Sequence, residues 1–116
     1  MIGESAFENC RSLTRVTFEK NSLLKTIEDR AFFECLNLTE INFKDTQLLK
    51  KIGSNAFQYS GIQKVEFLEG GDLDEIGELA FSSCPKLKEV ELPKNKDLSI
   101  KSFAFYKSPV TKLIIP

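Results

Sequence analysis

The chain has 116 residues, 41% hydrophobic and 28% charged, and its 16 basic and 17 acidic side chains leave a net charge of −1. A chain of this length and balance makes one folded domain with enough apolar surface to bury a core. It lacks the basic footprint that nucleic acid or an anionic membrane requires, and no apolar run approaches the roughly 20 residues of a membrane helix. The absence of histidine removes the commonest general base, proton switch and metal ligand.

From the N-terminus onward one phrase recurs: an isoleucine, three residues, Ala-Phe, and then Cys or Ser. It runs through Ile2, Ala6, Phe7 and Cys10, then Ile27, Ala31, Phe32 and Cys35, then Ile52, Ala56, Phe57 and Ser60. It continues through Ile76, Ala80, Phe81 and Cys84 to Ile100, Ala104, Phe105 and Ser108. Successive Ala-Phe pairs lie 25, 25, 24 and 24 residues apart. A period of roughly 20–50 residues marks a solenoid. In such a fold the repeated residues build the core, and function falls to those that vary.

After each Ala-Phe comes an alternating segment: Leu13, Val16 and Phe18; Leu38, Ile41 and Phe43; Ile62, Val65 and Phe67; Leu87, Val90 and Leu92; Val110, Leu113 and Ile115. The alternation is that of a strand with one buried face. Five such strands one period apart stack as a parallel ladder at about 4.8 Å spacing. The Ile-xxx-Ala-Phe segment forms the back of each coil, preceded in most repeats by Leu24, Leu49 or Leu73, with Leu98 one residue closer to its isoleucine. Short helical or 3₁₀ turns are expected around each Ala-Phe, since Ser, Asp or Gly stands ahead to start one. The alanines sit where coils approach closely, and the phenylalanines stack into a column on the convex side.

Cys10, Cys35 and Cys84 share one column with Ser60 and Ser108. One residue per coil makes a line, whereas zinc needs about four ligands around a point. Cys35 and Cys84, two coils apart, exceed the roughly 7 Å reach of a disulfide. They read as reduced, small core residues. Asp72, Asp74, Glu75 and Glu78 lack the glycine-punctuated loop of a calcium motif, and Glu69-Gly70-Gly71-Asp72 reads as a turn. Asn37-Leu38-Thr39 is a glycosylation sequon. No cofactor is implied.

The outward strand positions make the candidate protein-binding face. One column reads Arg15, Glu40, Lys64, Glu89 and Lys112, with strictly alternating sign; the next reads Thr17, Asn42, Glu66, Glu91 and Ile114. The alternation has two readings: it fixes coil register, because a slipped coil would set like charges together, or it is a recognition stripe. Glu66, Glu89 and Glu91 give the face a local acidic bias suited to a basic partner patch. Tyr59 and Tyr106, the anchor type common at hot spots, fall on the turns instead.

The consensus I-G-x-x-A-F-x-x-C-x-x-L-x-x-V-x-F/L-P resembles the BspA-like class of leucine-rich repeats, in about five units covering 1–116. Pro93 and Pro116 match the proline that closes the strand in that class, and Glu19, Lys44 and Leu68 depart from it. The resemblance implies an α/β-type repeat solenoid: a right-handed superhelix with a short parallel β-sheet on the concave face and turns or short helices on the convex face. It also implies a non-catalytic, protein-binding module from a surface-exposed or secreted adhesin-like protein, with a host or matrix protein as ligand. A structural spacer or intracellular scaffold is the alternative, and three unpaired cysteines suit a reducing cytosol equally well. The pattern starts and stops within a coil. A single leucine-rich repeat domain cut from a longer array is therefore expected, with end-to-end self-association through open strand edges as a second expectation.

Overall fold

The computed structural model describes residues 1–115; Pro116, and with it the expected strand-closing role of that residue, lies outside. Among the described residues nine short strands form in chain order: β1 (Arg15–Val16), β2 (Thr26–Ile27), β3 (Glu40–Ile41), β4 (Lys51–Ile52), β5 (Lys64–Glu66), β6 (Glu75–Ile76), β7 (Glu89–Glu91), β8 (Ser99–Ile100) and β9 (Lys112–Ile114). All pairings are parallel, one coil to the next, as the 24–25-residue period requires.

Two ladders exist where the sequence suggests one. The odd-numbered strands carry the alternating segments, as expected. The even-numbered strands form a continuous second sheet, β2-β4-β6-β8, extended to the first coil by a bridge between Ile2 and Ile27. Its inward column is Ile27, Ile52, Ile76 and Ile100, and the first three are fully buried. A β-branched residue at the same place in every coil suits a pleated, half-buried position.

The helices expected on the convex side do not form. Among the described residues there is no helix of any type, and the Ile-xxx-Ala-Phe segments run as consecutive turns. The fold is therefore a β-solenoid of parallel ladders, and the α/β assignment fails. The reason lies in two residues per coil with positive φ. Ser5, Arg30, Asn55, Leu79 and Phe103 precede the alanine, and Asn9, Glu34, Tyr59, Ser83 and Lys107 follow the phenylalanine by two, all with φ between 55° and 63°. A left-handed residue breaks a right-handed helix.

These kinks also redirect the backbone N–H groups. In the second coil Ala31, Phe33 and Cys35 donate back to Glu28, Arg30 and Phe32, closing turns, while Arg30, Phe32 and Glu34 donate forward to Ser54, Ala56 and Gln58 of the next coil. The same division recurs in the first and third coils, and in the fourth except that the Cys84 N–H donates to Ser108 Oγ at 3.0 Å. Every second N–H thus closes a turn and every other one binds a neighbour. An α-helix would spend all of them internally and leave this side of the coils joined by side chains alone.

Inside, Phe7, Phe32, Phe57, Phe81 and Phe105 stack face to face at 5.1–5.5 Å, with ring planes within 9°. A second aromatic column, Phe18, Phe43 and Phe67, lies beside it, and Phe43 meets Phe57 edge-on at 6.0 Å. The cysteine–serine column has a task beyond filling space. Cys35 Sγ donates to the Phe7 carbonyl at 3.0 Å, Cys84 Sγ to Phe57 at 3.2 Å, and Ser108 Oγ to Phe81 at 2.6 Å. Cys35, Cys84 and Ser108 each supply one donor that ties a coil to its predecessor, whereas Ser60 Oγ meets Cys84 Sγ of the next coil at 3.4 Å. Cys35 and Cys84 are buried and Cys10 half-buried, all three as free thiols. Burial pushes the Cys35 and Cys84 thiols up, which holds them as donors rather than as nucleophilic thiolates.

The glycine after the isoleucine is needed for space, not for φ. At Gly53 a Cβ would stand 2.6 Å from the Asp29 nitrogen and 2.7 Å from the Glu28 carbonyl carbon, whereas at Gly3 it would meet nothing. Gly53→Ala should therefore lower stability by about 1–3 kcal/mol through overpacking, and Gly3→Ala should stay within about 0.5 kcal/mol of the parent. Phe57→Ala, which removes the ring shared by both aromatic columns, should cost about 3–5 kcal/mol. Urea unfolding of the three variants checks all of this.

Candidate protein-interaction face

The expected outward residues do share one face, on the odd-numbered strands. Arg15, Thr17, Glu40, Asn42, Lys64 and Lys112 are exposed, and Glu66, Glu89 and Glu91 are half-buried. Beneath them Ile41, Val65 and Val90 point into the core. Register fixes the rows, since Arg15 lies opposite Glu40, Lys64 opposite Glu89, and Glu89 opposite Lys112.

The alternating charges pair accordingly, with one interruption. Arg15 Nε reaches Glu40 Oε2 at 3.1 Å, Lys64 Nζ reaches Glu89 Oε2 at 3.0 Å, and Lys112 Nζ reaches Glu89 Oε1 at 3.3 Å. Between Glu40 and Lys64 no ion pair forms. Lys64 turns to Glu66 on its own strand, and Lys44 reaches Glu66 from the preceding coil at 2.7 Å. Lys44 sits where the repeat pattern calls for proline, which is how sequence reasoning missed it as a member of the network.

These contacts set the electrostatics. Hydrogen bonds from Lys44 and then Lys64 hold the Glu66 carboxyl below the ordinary value of 4.5, and those from Lys64 and then Lys112 do the same for Glu89. The Lys64 ammonium is pushed upward by Glu66 and then Glu89. The acidic trio is therefore not a block of free negative charge: two of its members are matched, and Glu91 alone has no ion pair among the described residues. The register reading of the stripe gains from this, because every matched pair but Lys64 with Glu66 joins neighbouring coils.

The interruption coincides with a break in the sheet. The odd-numbered strands divide into β1-β3 and β5-β7-β9, and between β3 and β5 lies a groove of about 320 Å³ lined by Thr39, Glu40, Ile41, Asn42, Gln63, Lys64 and Glu66. A bridge between Phe43 and Phe67 joins the coils at its foot.

The turn face carries aromatic clusters instead. The Arg30 guanidinium lies 3.9 Å over the Phe33 ring and pairs with Glu8 at 2.9 Å, and Phe33 meets Tyr59 edge-on at 5.6 Å. Phe103 and Tyr106 make a second edge-on pair at 5.1 Å. Arg30, Tyr59 and Phe103 all hold left-handed positions, so the kinks that prevent a helix also turn these side chains outward. Their repeat positions could have been read from the sequence, but their conformation could not.

Among the described residues no group of three or more His, Cys, Asp or Glu is arranged to hold a metal ion. Asn37 Nδ2, the atom a glycan would occupy, donates to the Arg11 carbonyl at 2.6 Å.

The ion-pair network has a pH signature. A carboxylate with a depressed folded pKa stabilises the fold above its unfolded value and loses that contribution as pH falls through the folded value. For Glu66 and Glu89 the loss should begin near pH 4.5 and continue below it. Lys64→Met should move both carboxyl titrations upward, Glu89 most visibly, in carboxyl-carbon NMR.

The family model for the BspA type leucine rich repeat region matches residues 1–116 in six copies. Among solved structures, the crystal structure of a leucine-rich repeat protein from Bacteroides ovatus aligns with 91% of this chain at a TM-score of 0.76 and 26% identity. The chain spans about a quarter of that protein, 26% of its length. None of the curated proteins matches. The ladder of coils, the aromatic and Cys/Ser columns and the six matched copies together place the chain in the BspA-type leucine-rich repeat family, whose modules are non-catalytic scaffolds for protein interaction.

Proposed function

We propose that this module binds a protein through the face of the odd-numbered strands, as part of a surface-exposed or secreted adhesin-like protein. The observation that carries the reading is the division of labour between columns. Buried positions repeat from coil to coil, while the outward pair changes from Arg15 and Thr17 through Glu40 and Asn42, Lys64 and Glu66, and Glu89 and Glu91 to Lys112 and Ile114. Core packing does not dictate those outward residues, so they are free to be set by a partner. The surface location rests on the family resemblance, and matrix proteins are the partner class it suggests.

A second reading has its own observation. Tyr59, Phe103 and Tyr106 are each more than two-fifths exposed on the turn face, and Tyr and Arg are enriched among binding hot spots. A contact on that side would leave the strand face as a register device only. Self-association is a further possibility for the open edges of the ladders, and sedimentation of the isolated module reports on it.

Binding of the folded module to purified matrix proteins, measured by interferometry, separates the two faces. Charge reversal at Glu66, Glu89 and Glu91 should weaken binding at least several-fold and change its salt dependence, while Tyr59→Ser with Tyr106→Ser should leave it unchanged. Binding that survives the first set and fails with the second would overturn the strand-face proposal.

A further inference from the structure

We infer that the gap between β3 and β5 is a slot for a planar, uncharged carboxamide: an Asn or Gln side chain presented by a protein partner. The inference rests on the strand-face reading and specifies its anchor point. No backbone hydrogen bond joins residues 39–41 to 63–65, although both neighbouring pairs, β1-β3 and β5-β7, are laddered and the two coils meet again at the bridge between Phe43 and Phe67. Two parallel-strand edges therefore face each other with N–H and C=O groups unmatched across the seam, in need of polar partners.

A local cause can be named. Asn42 Oδ1 accepts the Lys44 N–H at 2.8 Å, an Asx turn that offers the backbone an alternative to the ladder. It ends β3 after two residues, where β7 and β9 continue through Glu91 and Ile114. The one-residue shortening between Ser60 and Ile62 does not suffice, since the same shortening between Ser108 and Val110 leaves β9 paired to β7.

The slot selects its occupant by size and by charge. Coil spacing is held on either side by ring stacks, Phe43 on Phe67 and Phe32 on Phe57, both at 5.1 Å. A whole strand cannot enter between two strands at ordinary ladder spacing. A single flat group approaching from the outer face can reach both edges in the groove of about 320 Å³.

An ionic group would have to displace an existing pair, because Glu40 is matched by Arg15, Lys64 by Glu66 and Glu89, and Glu66 also by Lys44. The groups left over are the strand edges and the Gln63 side chain, which makes no hydrogen bond among the described residues. They offer donors and acceptors together. A primary carboxamide presents two N–H donors and a two-lone-pair oxygen in one plane, the same alternation a strand edge presents.

The test uses propionamide as probe, with butanone as its isostere lacking the N–H groups and methyl glucoside as a hydroxyl-rich comparison. Titrated into the ¹⁵N-labelled protein at millimolar concentration, propionamide should shift the amides of 39–42 and 63–66, with butanone several-fold weaker. Asn42→Val, which removes the Asx turn, should slow hydrogen exchange at 64–66 and abolish the propionamide shifts. The proposal is overturned by an absence of localised shifts, by equal response to butanone, by a stronger response to methyl glucoside, or by shifts that persist in an Asn42→Val protein with a protected seam. The probe works without any protein partner. A failed probe leaves protein binding by the rest of the face standing, and failed matrix binding leaves the probe result intact.

Discussion

The structure depends on how each coil divides its backbone N–H groups. Around the Ala-Phe pairs of the first four coils, alternate groups close a turn within the coil or reach the next coil. This division sets the coil spacing and so allows the phenylalanine rings to stack at contact distance. It also places the Cys or Ser donor beneath the preceding Phe carbonyl. Ten non-glycine residues held at positive φ make it possible. Each one costs roughly 1–2 kcal/mol relative to a right-handed conformation, a cost that persists because the inter-coil bonds and the aromatic columns offset it.

Much of this was legible in the chain. The Ile, Ala and Phe columns, the parallel stacking and the inward alternation of the odd-numbered strands follow from period and polarity. The second ladder also left a trace, in a polar residue followed by Ile at Thr26-Ile27, Lys51-Ile52, Glu75-Ile76 and Ser99-Ile100. Two residues are too few for a period-2 signal to show. The left-handed turns left little trace: Asn9 and Asn55 suit that region, but the other occupants give no consistent signal. Their occupants include Arg30, Leu79, Tyr59 and Phe103, residues with no intrinsic preference for that region, so tertiary hydrogen bonding imposes the conformation and local propensity misleads toward a helix.

The candidate face shows a similar split. Composition and register located its residues, and the alternation of charge anticipated three of the four contacts in the stripe. The fourth fails for a reason a column-by-column reading cannot hold, because Lys44 and Asn42 act across columns. Asn42 spends its side chain on a turn, Lys44 claims Glu66, and Lys64 is left to face the other way. Departures from the consensus are where this molecule differs from a generic stack of coils.

The direction of the inter-coil bonds has an electrical consequence. On the turn side the N–H groups point forward along the axis, as from Arg30, Phe32 and Glu34 to Ser54, Ala56 and Gln58. On the opposite side most of those outside the strand pairs point back, as from Lys50 and Gly53 to Lys25 and Ile27, with Ile2, Phe67 and Leu92 pointing forward to Thr26, Glu91 and Ile114. The two sets of peptide dipoles oppose one another within each coil. An α-helix aligns its dipoles and accumulates partial charge at its ends, whereas a solenoid wired in this way cancels part of that build-up. Adding coils to such a stack lengthens it while opposed peptide dipoles limit the growth of an axial field, and side chains gain weight in the potential felt by an approaching molecule.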